Sequence, residues 1–154
     1  MQKLRSAIIA LGILFCVIGG YFWWRAANPP LTSEQQIAAN LNAAESALKQ
    51  RSAGGILRHF APEFSASGTS RDEFSSLLKG TLFQWRDVKM RRSNELITIN
   101  GNEATSSGSY RISYRTSPNQ PRQIQRGNYV LHWRRINDEW KVVKAEGAAP
   151  SVAE

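Results

Sequence analysis

Two histidines, four tyrosines and one cysteine are the side chains of this sequence that most readily move protons or act as nucleophiles. Tyr110 and Tyr114 stand four apart, and His132 lies in a run of alternating apolar and polar residues, YVLHWRR. A histidine near two phenols is the equipment of a general base with hydrogen-bond donors, suited to moving a proton on a small substrate. Glu63, in ILRHFAPEF, is a fourth candidate. No acid stands at a spacing that would orient His132, and the plainer reading is a hydrogen-bonded histidine on an outer sheet face. His59, in LRHF, reads as a packing or helix-surface residue. Two histidines and one cysteine leave no set of metal ligands. There is no Gly-rich phosphate loop and no nucleophile elbow. No cofactor is implied and no catalytic residue is assigned; Tyr110, Tyr114, His132 and Glu63 are the candidates.

Arginine is the compositional oddity. The chain carries 20 Lys and Arg against 12 Asp and Glu, a formal net charge of +8. Arg91, Arg92, Arg111, Arg115, Arg122, Arg126, Arg134 and Arg135 all fall in or near stretches that read as strands. Arg111, Arg115, Arg134 and Arg135 offer contacts for an anionic surface such as lipid headgroups. Interleaved tyrosines and tryptophans would also suit single-stranded nucleic acid, but the address argued below disfavours it. A solvated sheet face is the bland alternative.

These residues need elements to position them, and 154 residues supply one domain. Thr32 with Gln35 has the spacing of a capping box, and Ile37, Leu41, Ala44 and Leu48 then mark one helical face. Gly54-Gly55 interrupts. Ile56, Leu57 and Phe60 predict a short second helix stopped by Pro62. Ser70 with Glu73 opens a third, with Phe74, Leu77 and Leu78 expected to be buried. After Trp85 the apolar period changes to two. Val88 to Ile99 predicts a strand with an irregularity, and Asn100-Gly101 predicts a hairpin turn. The next strand places Ala104, Ser106, Gly108, Tyr110, Ile112 and Tyr114 on one face and only polar residues on the other. TSPNQPRQ reads as a loop. Tyr129, Leu131 and Trp133 alternate with Val130, His132 and Arg134; Asn137-Asp138 turns the chain into a last strand with Trp140, Val142 and Val143. The expected class is α+β: three helices packed on a curved antiparallel sheet of four or more strands.

The amino-terminal part is of a different kind. Residues 7–24, AIIALGILFCVIGGYFWW, carry no charge, and as a helix they span roughly 27 Å, close to the thickness of a bilayer core. Lys3 and Arg5 precede the segment, and Tyr21, Trp23 and Trp24 crowd its far end, where amphipathic rings favour the interface. Trp24 or Arg25 would fall three residues before the nearest cleavage sites, which fits a removable signal peptide poorly. The expected organisation is a cytoplasmic tail (1–6), a transmembrane signal anchor (7–24), a Pro-containing linker (25–31), a domain (32–147) and a flexible tail (148–154). The expected address is single-pass in the inner membrane, with the domain outside. The bilayer is the first partner implied.

The element order, the capped helix SRDEFSSLL and the closing hairpin GNYVLHWRRINDEWKVVKAEG resemble the nuclear transport factor 2-like superfamily, which includes ketosteroid isomerases and SnoaL-like polyketide cyclases. The resemblance covers about Leu31 to Gly147. It implies a cystatin-like cone with a pocket between helices and sheet, and no particular reaction. It also places Glu63 where many relatives carry an acid. Two functions follow. One is a membrane-anchored, non-catalytic binding or scaffold domain that takes a protein partner or a small apolar ligand; scaffold subunits of bacterial type IV secretion systems share this plan. The other is an isomerase, dehydratase or cyclase that uses the cone pocket. Relatives often pair through their sheets. The polar face carrying Arg111 and Arg115 leaves a monomer and a weak, salt-sensitive homodimer as equal expectations.

Overall fold

The computed structural model describes residues 30–147 and 151–152. The expected anchor at 7–24, its cytoplasmic tail and most of the linker lie outside the described residues. Among the described residues no helix is long and apolar enough to cross a membrane.

From Thr32 onward the chain forms one compact unit. Helix α1 (Ser33–Lys49) starts at a complete capping box. Thr32 Oγ1 accepts from the Gln35 amide at 3.2 Å, and the Thr32 amide donates to Gln35 Oε1 at 3.0 Å. Helix α2 is a single turn and a half, Ala53–Leu57, capped by Ser52. It ends earlier than expected: Phe60 and Pro62 belong to strand β1 (Phe60–Ala66), and His59 lies between the two elements. Proline is tolerated there because the Pro62 nitrogen has no ladder bond to supply. Strand β2 (Thr69–Ser70) closes a tight hairpin on β1, and Ser70 then caps α3 (Arg71–Gln84) through its own box with Glu73. Strands β1 and β2 therefore sit between the helices, which do not all come first. Among the described residues only α1 and α3 run beyond two turns. In α3, Leu82 is buried, whereas Leu77, expected inside, is 64% exposed.

Four long strands follow: β3 (Arg86–Asn100), β4 (Glu103–Arg115), β5 (Gln123–Ile136) and β6 (Glu139–Gly147). The sheet order is β2-β1-β6-β5-β4-β3, antiparallel except for the parallel β1–β6 pair. A two-residue strand β7 (Ser151–Val152) pairs with β5. The β3–β4 turn uses Gly101 at φ +61, while Asn100 closes the ladder opposite Glu103. The β5–β6 turn places Asn137 and Asp138 at φ +49 and +65, the pattern of a type I′ turn.

Two irregularities decide which side chains face the helices. In β3 the register shifts between Ser93 and Leu96, and Asn94 takes φ +55. The extra residue re-aims Glu95 toward the helix side, as bulges do. Between β5 and β6 the register shifts from His132 to Trp133, which leaves Val143 of β6 unopposed. It puts Ala145 beside Leu131 on the inner face and Lys144 beside His132 on the outer one.

The helices cover the inner face, and side chains fill the space between. Ile37 and Leu41 from α1 meet Phe64, Ala104, Trp133, Trp140 and Val142 from the sheet. Phe60, Phe64 and Phe74 form an aromatic knot with centroids 4.5 to 5.5 Å apart. A second cluster joins Ala47, Leu48, Ile56 and Leu82 to Val88 and Tyr114. Trp133 and Trp140 are each 2% exposed, the burial expected of the two rings flanking the closing turn.

Candidate functional site

The inner face carries one polar cluster, and it was not visible along the sequence. Arg92 of β3 points at α1. Its Nε donates to Glu45 Oε2 at 3.2 Å, Nη1 pairs with Glu95, and Nη2 donates to Asn42. Lys49 Nζ lies 2.7 Å from Glu45 Oε1, and Tyr129 Oη of β5 donates to Glu95 Oε2 at 3.4 Å. Burial pushes the Glu45 carboxyl up, but hydrogen bonds and charge from Lys49 and Arg92 outweigh it and hold the group below its ordinary range. Burial pushes the Tyr129 phenol up and the Glu95 charge adds to this; Arg92 opposes both without cancelling them. The cluster thus sets an ionised Glu45 between a guanidinium and an ammonium, with the Tyr129 phenol held protonated at neutral pH beside Glu95. Glu45 follows Leu41 by four and precedes Leu48 by three. A charge on an apolar helical stripe was the one available signal.

Two glycines make room for the tyrosines of this face. Gly108 is the register partner of Tyr129, and Gly127 that of Tyr110. A Cβ on Gly127 would come within 2.7 Å of Tyr110 Oη, and one on Gly108 within 2.9 Å of Tyr129 Oη. Each ring therefore lies across the glycine opposite it, a reciprocal arrangement that covers backbone otherwise open to water.

The candidates read from the sequence do not converge. Tyr110 and Tyr114 are on the inner face. Tyr114 is 6% exposed, stacks on Trp85 at 4.2 Å, and accepts from Gln125 Nε2 at 3.2 Å. His132 is on the outer face, in the row Thr98–Thr105–His132–Lys144. An acid does approach it: Glu146 Oε1 lies 3.3 Å from His132 Nε2, brought across the strand pair from β6. Lys144, 2.6 Å from the same oxygen, and to a lesser degree His132 hold that carboxyl below its ordinary value. Glu63 lies on β1, with Oε1 3.4 Å from Arg134 Nη1. Arg115 approaches Asp87 at 3.7 Å, and Arg135 pairs with Asp138 across the closing turn at 3.1 Å. Arg111 is exposed on the outer face.

A hollow of about 660 Å³ opens on that outer face, lined among others by Glu63, Thr98, Thr105, His132, Arg134 and Lys144. Its walls carry both signs of charge. Among the described residues no group of three His, Cys, Asp or Glu side chains is spaced to hold a metal ion.

No family model and no curated protein matches the chain. Solved structures do. A provisionally assigned scytalone dehydratase from Novosphingobium aromaticivorans superposes with a TM-score of 0.70 at 18% identity, over 79% of this chain and 87% of that one. A nuclear transport factor 2-like superfamily protein from Salmonella enterica gives 0.64 at 15%, over 78% and 92%. A protein of unknown function with a cystatin-like fold from Nostoc punctiforme gives 0.63 at 20%, over 79% and 96%. At such identities the likeness shows architecture and not activity. The domain from Thr32 onward has the nuclear transport factor 2-like, cystatin-like α+β fold.

Proposed function

We propose that this chain is a non-catalytic binding protein, carried on its apolar segment 7–24 in the inner membrane with the domain outside the cytoplasm. The filled cone carries the binding half of this reading. Phe60, Phe64, Phe74, Trp133 and Ile37 pack together between helices and sheet, where the resemblance implies a pocket, and the acid–base candidates face opposite sides of the sheet. The outer face, by contrast, keeps an open polar hollow around Thr105 and His132. That favours a protein partner on the sheet over an apolar ligand in the cone. The placement rests on the sequence alone: Lys3 and Arg5 precede a charge-free stretch of bilayer length.

A photo-cross-linking side chain at Thr105 or Thr98 in the full chain, expressed in intact cells, tests both halves. Discrete adducts, degraded by protease added outside the inner membrane, are the expected result. Failure of every outer-face position to form an adduct would sink the binding reading, and protected adducts would sink the topology.

The inner polar cluster favours a second reading, an enzyme of the dehydratase or isomerase class, to which the provisionally assigned scytalone dehydratase of the same architecture also points. The Glu95 carboxylate beside the Tyr129 phenol is a proton-transfer pair. Turnover of a dehydratable carbonyl substrate that vanishes in Glu95→Gln, with the fold retained, would establish this reading and overturn the first.

A further inference from the structure

Three arginines stand in one line across the outer face of the sheet. Arg91 on β3 is the register partner of Arg111 on β4, and Arg111 is that of Arg126 on β5. Directly opposed residues carry their Cβ atoms roughly 5 Å apart, so like charges in such a row repel. All three are exposed. Among the described residues no carboxylate pairs with any of them. The two acids of β3 are engaged elsewhere: Asp87 with Arg115 and Arg122, and Glu95 with Arg92 on the opposite face.

The next row holds Ser93, Ser109 and Asn128. Ser93 Oγ and Ser109 Oγ lie 2.9 Å apart, and Asn94 Nδ2 reaches Ser109 Oγ at 3.5 Å. A hollow of about 360 Å³ joins the two rows, lined by Ser93, Ser109, Arg111, Arg126 and Asn128 together with Tyr110 and Gly127 between them. That volume lies within the range of small-ligand sites.

We propose that this hollow binds the phosphate group of a small ligand. Guanidinium forks pair with phosphate through parallel N–H···O bonds, and the Asn128 amide supplies a neutral donor beside them. A dianion between Arg111 and Arg126 offsets their repulsion, which a carboxylate with one charge does less well. A second copy of the chain would set this row against itself. The site exists whichever reading describes the inner face.

The test uses the full chain in neutral detergent at low ionic strength, with pyrophosphate as the probe. Binding to the folded state alone raises the melting temperature as ligand saturates. The wild-type chain is expected to gain stability with pyrophosphate. Arg111→Gln is expected to melt higher than wild type without ligand, because a repelling charge is gone, and to gain clearly less from pyrophosphate. Calorimetric titration should show binding at least tenfold weaker in Arg111→Gln and Arg126→Gln. Lys79→Gln, on α3 and outside the hollow, should behave as wild type. No gain in the wild type, or an equal gain in Arg111→Gln, overturns the proposal. Retention on phosphatidylglycerol vesicles without any pyrophosphate binding also overturns it, and assigns the row to a membrane surface.

Discussion

The Trp133–Ser106 contact can be tested as a thermodynamic cycle. The indole Nε1 donates to Ser106 Oγ at 2.8 Å, and the two residues are 2% and 0% exposed. Ser106→Ala removes the acceptor and leaves the indole N–H buried without it, a loss of about 1–3 kcal/mol. Trp133→Phe orphans the hydroxyl instead, and it also removes part of a ring from a close-packed site. That packing loss should be about 1–2 kcal/mol, less than the 3–5 for full truncation of an aromatic core residue. The double variant removes both polar partners together. It keeps the packing loss and escapes both desolvation penalties. The two single losses should therefore exceed the double loss by the two penalties together, about 2–6 kcal/mol. In a domain of roughly 120 residues this corresponds to a discrepancy of about 8–24 °C in melting temperature. Urea unfolding of a chain beginning at Leu31, followed by far-ultraviolet circular dichroism, measures all four corners. Additivity within about 0.5 kcal/mol would refute the reasoning, because each partner would then have a replacement in the core.

Two further predictions concern a titrating group and a glycine. His59 is 8% exposed, and its Nε2 accepts from Arg58 Nε at 3.2 Å; burial, then the charges of Arg58 and Lys141, hold it below the ordinary histidine range. The unfolded chain regains a value of about 6.5 and binds more protons in the interval below it, so stability should fall as pH drops from about 7.5 to 5.5. His59→Gln should flatten that slope in paired urea titrations, and an unchanged slope would count against the assignment. Gly127→Ala should destabilise by about 1–3 kcal/mol, because the new methyl meets Tyr110 Oη and Cζ. A Tyr110→Ala background should abolish that penalty in denaturation curves, and a penalty that survives it would mean the strain lies in the backbone.

What could be read along the chain was what the chain decides locally. Both capping boxes formed as spaced, because Thr32–Gln35 and Ser70–Glu73 satisfy their own amides without help from the rest of the molecule. The alternation from Ala104 to Tyr114 gave the correct inner face, since a strand's period needs no partner. The second helix was extended too far because Ile56, Leu57 and Phe60 have helical spacing. Pairing of Phe60 with Val142 overrides that preference from the other end of the chain. The sites fared worse for the same reason. Glu146 reaches His132, Arg92 reaches Glu45, and Arg91 lines up with Arg111 and Arg126 only once register is set, and register is a property of strand pairs. The bulges at Asn94 and Val143 then turn side chains over, which no count of residues along one strand would anticipate.

The parallel pairing of β1 with β6 bears on how the chain is made. Phe60 and Val142 are about eighty residues apart in sequence, and β6 is the last long strand to be synthesised. Helices α1 and α3 can form as they emerge, and Phe74 can meet Phe60 and Phe64, but the sheet side of that cluster stays open until Trp140 and Val142 arrive to close the core over it. Through most of its synthesis the nascent chain therefore displays an aromatic strand with an open edge, the kind of surface that chaperones hold and that misassembles when crowded. Truncations before Glu139 should accumulate as insoluble material, and the burst of native structure should coincide with release of the final hairpin.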